Sequence, residues 1–297
     1  MSAAASASDS PTDPTTRLLV PRSMVQVGKL TRYQLREYLR SRRYVALVVI
    51  VLAIGAILTF VVYHFRSSVV STNLAFYGSF WGAGADIVIV LAAVFFGGDA
   101  IAGEFQNKTG YFLMGLPLRR ATVYVGKFIA AFLASASMML LFLALLVVNG
   151  AYYFGSGFLP WQLGLSLLLA IVYLVAVLGA TFFFSSLFKT SAYGFVLTAI
   201  LFLFGFTLLQ DLVADLVKIE PWMIISYAES VIGSVFAPSP NWGLHATVVT
   251  TVTGMGRFRF TVTTYTAGVA EAVVIMIIYF LVTAASGLWL FENEEFS

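Results

Sequence analysis

The chain contains no cysteine, and only 10% of its 297 residues are charged. Without thiols it can hold no disulfide and offer no thiolate metal site. Soluble domains carry about a quarter charged residues, so water is not the main solvent here. Two histidines, His64 and His245, stand far apart. A zinc site asks for three or four ligands, so no metal site is expected. No Ser, His and Asp pattern marks a nucleophilic enzyme, and no catalytic residue is assigned. A phosphate-binding loop is missing as well. The motif needs a glycine, four residues, then Gly-Lys-Ser or Gly-Lys-Thr. Here Gly126-Lys127 precedes Phe128 and Gly28-Lys29 precedes Leu30.

What fills the chain is hydrocarbon, 60% of it hydrophobic. Six runs reach the roughly 20 residues that cross a bilayer, at about 44–63, 74–97, 121–148, 161–184, 191–209 and 269–290. They read as helices, since a lone strand in lipid leaves its backbone unpaired. The fold class is therefore an all-α polytopic membrane protein with six transmembrane helices over 44–290, preceded by an amphipathic helix and carrying an external insertion between spans five and six. Thirteen of the seventeen Lys and Arg fall on one side: eight before span one, four between spans two and three, and Lys189 between four and five. Arg66, Lys218, Arg257 and Arg259 fall on the other. The positive-inside rule then puts both termini in the cytoplasm of a multi-pass cell-membrane protein. The net charge of +3 serves anionic lipid, not nucleic acid.

Residues 1–23 read as a disordered lead, rich in Ala, Ser, Thr and Pro. In 24–43, Lys29, Arg32, Arg36, Arg40 and Arg43 share one stripe, away from Met24, Val27, Leu35, Tyr38 and Leu39. That pattern predicts a helix lying in the membrane interface. The uncharged loop Asn149–Gln162 carries Tyr152, Tyr153, Phe154 and Trp161, aromatics that anchor at an interface. The external segment 210–266 begins with two short helices separated at Pro221, either re-entrant or flat on the surface. It ends in a hairpin, with strands Thr247–Thr253 and Arg257–Thr264 and a turn at Gly254–Gly256. A short acidic tail, 291–297, closes the chain.

Acids inside spans default to functional hypotheses. Asp86 sits mid-span, as a pathway group or satisfied by hydroxyls of a neighbouring helix. Glu271 sits near the outer end of span six, where simple hydration is favoured. Gly78 and Gly82 allow close helix approach, first within one subunit and second between subunits.

The stretch Gly97–Lys127 interrupts the hydrocarbon. Asp99–Glu104 continues the helix of span two, Thr109-Gly110 breaks it, and Tyr111–Leu116 is an apolar hexapeptide ended by Pro117 before Arg119-Arg120. Lys127 stands where its stem can snorkel from the start of span three. An apolar hexapeptide beside a carboxylate suits docking into a groove.

From Glu104 to Lys127 the chain resembles the type-2 export permeases of ATP-binding cassette (ABC) transporters. Their pattern is a glutamate, Gly-Thr, Leu-Leu-x-x-Pro, then Arg and Gly-Lys. The matching positions are Glu104, Thr109, Gly110, Leu113, Pro117, Arg119, Gly126 and Lys127, with Thr and Gly in reverse order and Met114 at the second Leu position. The resemblance extends to the basic helix running into Leu39–Val51, and to the six spans with a long last external loop. It implies a coupling helix seated on a separate nucleotide-binding subunit, with Glu104, Phe105, Thr109, Gly110, Tyr111, Leu113, Leu116, Pro117 and Arg119 at the contact. ATP and magnesium would then reside on that partner, with no cofactor on this chain. A second permease copy or homologue would complete the transporter, and Asp86 and Glu271 are candidates for the pathway. The rival class is a stand-alone ion-coupled transporter using intramembrane carboxylates.

Overall fold

A computed structural model describes residues 23–65, 70–106, 119–155, 159–188, 190–255 and 258–293. The expected disordered lead lies almost wholly outside them. Helix α1 spans Ser23–Arg40 and α2 spans Arg42–His64. The single helix expected over 24–43 is thus two. Ser41 breaks it: its hydroxyl donates to Tyr38 O at 2.7 Å and accepts from Tyr44 N at 3.1 Å, capping α2. The stripe of Lys29, Arg32, Arg36, Arg40 and Arg43 is exposed as expected. The other face packs on the third long helix, where Thr31 Oγ1 donates to Gly126 O at 3.1 Å.

Next come α3 (Asn73–Gly97), the five-residue α4 (Ala102–Gln106), α5 (Arg120–Phe154) and α6 (Gln162–Leu187). Helix α7 covers Ser191–Val217 and includes π-helical turns at Leu201–Gly205 and Val213–Val217. Short helices α8 (Ile225–Glu229) and α9 (Val231–Ser234) lead to β1 (Thr247–Met255) and β2 (Phe258–Thr266), and α10 (Val269–Asn293) ends the fold. Six helices are long and apolar enough to cross a membrane. They match the six expected runs, with ends that extend further: α5 passes the expected 148 to Phe154, and α7 passes 209 to Val217.

Helix α3 is the axis of the bundle, packed between α5 and α6, with α10 laid along α6. Phe76, Phe80 and Trp81 on α3 are fully buried, and Phe80 and Trp81 each stack on Phe142 of α5 at 5.7 Å between centroids. Such pairs contribute about 0.5–1.5 kcal/mol beyond area burial, which counts for more where lipid supplies no hydrophobic drive between helices. Helices α2, α7 and α10 leave most of their apolar surface uncovered.

The insertion after α7 departs from expectation. Residues expected as its first short helix continue α7, which stops where Lys218 adopts a left-handed backbone (φ 54°). The two short helices lie after Pro221. Their residues Ile225, Tyr227, Ala228, Val231, Ile232 and Val235 are buried against α3, α6 and α10. The seat exists because α3 is small there. A Cβ on Gly82 would stand 3.3 Å from Gly233 Cα, so Gly82 serves packing within the subunit. The hairpin pairs from Thr247↔Thr266 to Met255↔Phe258, so the ladder runs past the expected turn at Gly254 and leaves only residues 256–257 between strands. Its side chains from 250 to 262, including the expected alternation around Arg259, lie outside the described residues. Thr263 N donates to Asp215 Oδ1 at 3.1 Å, tying the hairpin to the end of α7.

Candidate functional site

Below α3 the sequence reads Gly97-Gly-Asp-Ala-Ile-Ala-Gly103, and three glycines in seven residues make a poor helix. The helix expected to run on through Glu104 instead breaks at Gly98–Ile101 and restarts as α4. The break is held tightly. Ile101 N and Ala102 N both donate to Ser185 Oγ of α6, at 3.0 and 3.1 Å, in a buried setting. A hydroxyl from another helix thus meets the orphan donors that open α4. A backbone-to-backbone approach fixes the far side, where a Cβ on Gly194 of α7 would fall 2.9 Å from Gly98 O. The Gln106 side chain accepts from Ser191 N at 3.0 Å, again reaching α7.

Charge then locks this joint from two more directions. Lys127 of α5 is 4% exposed, donates to Ala100 O at 2.7 Å and forms an ion pair with Glu104. It does not snorkel, because an acceptor and a carboxylate await it inside. Arg43, in the first turn of α2, pairs with Asp99. Tyr38 of α1 donates to Phe96 O at 3.1 Å, and burial followed by the charge of Asp99 pushes its phenol above the usual range. At the same end Arg120 donates to Phe291 O and Glu292 O, at 3.3 and 2.7 Å, closing α5 on α10. Residues 96–106 therefore touch α1, α2, α5, α6 and α7.

From mid-bundle toward the hairpin, the acids form no ion pair among the described residues. Tyr173 of α6 donates to Asp86 Oδ1 at 3.0 Å, so Asp86 is satisfied by a hydroxyl from a neighbouring helix. Glu229 of α8 stands near enough to feel Asp86: burial first, then that negative charge, raise its carboxyl well above the ordinary range. A second group gathers Glu220, Tyr227 and Glu271. The Tyr227 hydroxyl contacts Glu220 and lies 3.2 Å from Glu271 Oε2, which also accepts from Gly268 N at 3.2 Å. Burial, then the bond to Glu220, drives the Tyr227 phenol up. Glu271 is thus not simply hydrated but built into the seam between α8 and α10. Among the described residues no three His, Asp or Glu side chains gather as a metal ligand set.

Of the expected contact residues, Glu104 sits in α4 facing Lys127, and Arg119 is exposed just before α5. Phe105 belongs to α4, with its side chain outside the described residues. Thr109, Gly110, Tyr111, Leu113, Leu116 and Pro117 lie outside them altogether. Asp86 and Glu271 belong to separate groups. Sequence reasoning missed the roles of Asp99, Lys127, Ser185 and Glu229. A lysine seven residues into span three, and a serine pair directly after the expected end of span four, were the available signals.

A family model described as ABC-2 family transporter protein matches residues 30–296, from inside α1 to the end of the chain. No curated protein matches this chain.

Proposed function

The chain belongs to the ABC-2 transporter family, and from that membership we propose that it is the membrane permease subunit of an ATP-driven exporter whose ATPase is a separate chain. Two permease subunits pair with two nucleotide-binding subunits. The end carrying α1, α4 and both termini faces the cytoplasm, as the distribution of Lys and Arg supports. The joint at residues 96–106 carries the reading. Five other helices converge there on polar contacts, and in sequence it leads directly into the segment 107–118 that resembles a coupling helix.

The mechanism follows from that connectivity. ATP closes the partner subunits, the partner displaces the segment after α4, and Lys127, Ser185 and Arg43 pass the displacement to α5, α6 and α2. A rigid joint transmits motion; a loose one dissipates it. Reconstituted with its ATPase, Glu104→Ala or Phe105→Asp lowers transport-stimulated ATP hydrolysis while the complex still assembles. Undiminished stimulation in both variants refutes the proposal. An ion-coupled carrier would behave oppositely, with Asp86→Asn abolishing transport in the absence of any ATPase.

A further inference from the structure

We propose that the cleft between α1 and the lower end of α3 holds the headgroup of an amine-bearing phospholipid, its ammonium on Glu37 and its phosphate on Arg42. The cleft encloses about 780 Å³. One wall is the face of α1 bearing Leu30, Gln34, Glu37 and Tyr38; the other is the end of α3 around Phe95 and Phe96. Two ion pairs also line it, Arg43 with Asp99 and Lys127 with Glu104, and each is matched within the protein. What remains at the rim is one carboxylate and one guanidinium. Both are exposed, and among the described residues neither forms an ion pair.

Glu37 is held in place. Gln34, only 8% exposed, donates its amide to Glu37 Oε2 at 2.9 Å, so a buried group aims the carboxylate. Arg42 is the first residue of α2, where a long side chain reaches the phosphate level of a bilayer. Leu30, Phe95 and Phe96 give the cleft walls apolar surface, suited to the glycerol and upper acyl carbons. A zwitterion with acyl chains fits each part. A simple anion meets Glu37 and is repelled, which favours the zwitterion by exclusion as well as attraction. A primary ammonium gives N–H donors to the carboxylate, whereas a trimethylammonium gives none. The amine-bearing class is therefore preferred over its methylated counterpart. The leaflet follows the orientation proposed above; binding itself depends neither on that orientation nor on a partner subunit.

The test uses the purified full chain, supplied with equimolar phosphatidylethanolamine, phosphatidylcholine and phosphatidylglycerol, with retained lipid read by native mass spectrometry. Phosphatidylethanolamine is retained in excess over the other two. Glu37→Gln lowers its ratio to phosphatidylcholine by about two- to fivefold, the scale of one exposed ion pair. Arg42→Ala lowers retention of both. Both side chains are exposed, so unfolding temperature stays that of the unaltered chain. Equal retention of the ethanolamine and choline lipids, an unchanged ratio in Glu37→Gln, or preference for the glycerol lipid overturns the proposal.

Discussion

The two ends of the bundle satisfy their acids in opposite ways. At the α4 end, Asp99 and Glu104 each meet a cation from another helix, Arg43 and Lys127. At the hairpin end, Asp86, Glu220 and Glu271 meet tyrosine hydroxyls and backbone N–H groups. An ion pair fixes two helices through a strong interaction that one substitution leaves uncompensated. A tyrosine–carboxylate bond is weaker and can change with protonation. The difference suits one end to transmit force and the other to yield.

Lys127 is where that contrast breaks hardest. Lys127→Met removes the ammonium that pairs with Glu104 and the donor to Ala100 O, and removing one partner of a buried pair destabilises by about 3–5 kcal/mol. Thermal unfolding of the purified chain in detergent reads the loss. The double variant Lys127→Met with Glu104→Leu recovers part of it, because the carboxylate that faced the lysine is then removed as well. Equal loss in the single and double variants would show that the pair's charge is irrelevant to the joint.

The hairpin end is distinguished by pH. The Glu229 carboxyl is raised by burial and then by the charge of Asp86, with the Tyr173 phenol of α6 also near. An acid raised in the folded state favours folding fully below its ordinary titration range, and that contribution is lost as pH rises toward the folded value. The unfolding temperature therefore falls as pH climbs through that window. Glu229→Gln, always neutral, flattens the decline. A profile of equal slope in the variant assigns the effect to other groups and removes the contrast between the ends.

Much of the fold was readable because six apolar runs of spanning length leave little choice in lipid. All six appear, and the amphipathic stripe of α1 is exposed as its spacing required. The breaks and the partners were harder. Ser41 looked like one polar residue among many until its hydroxyl proved to cap α2. Lys127 looked like a snorkelling cation, because sequence shows the length of its stem but not that Ala100 O and Glu104 wait 27 and 23 residues upstream. The Glu271 reading failed for the same reason, since its partner Tyr227 lies 44 residues away across an insertion. Local pattern specifies which residues are apolar together; long-range pairing decides which polar residues are buried together.

The smallest effect separates burial from charge as the origin of the joint's rigidity. Arg43–Asp99 and Lys127–Glu104 are both ion pairs at the same end, between the same kinds of groups. Yet the Arg43 side chain is 60% exposed and that of Lys127 only 6%. Exposed pairs contribute about 0.2–1 kcal/mol and weaken with salt. Arg43→Ala therefore lowers the unfolding temperature only slightly, and high salt erases the difference from the unaltered chain. Lys127→Met keeps its larger loss at every salt concentration, because a pair shielded from water is little screened. If both variants lost stability equally, or both recovered in salt, the strength of the joint would not come from burial. The convergence of helices on residues 96–106 would then have to rest on the uncharged contacts of Ser185, Tyr38 and Gln106 and on the Gly98–Gly194 approach.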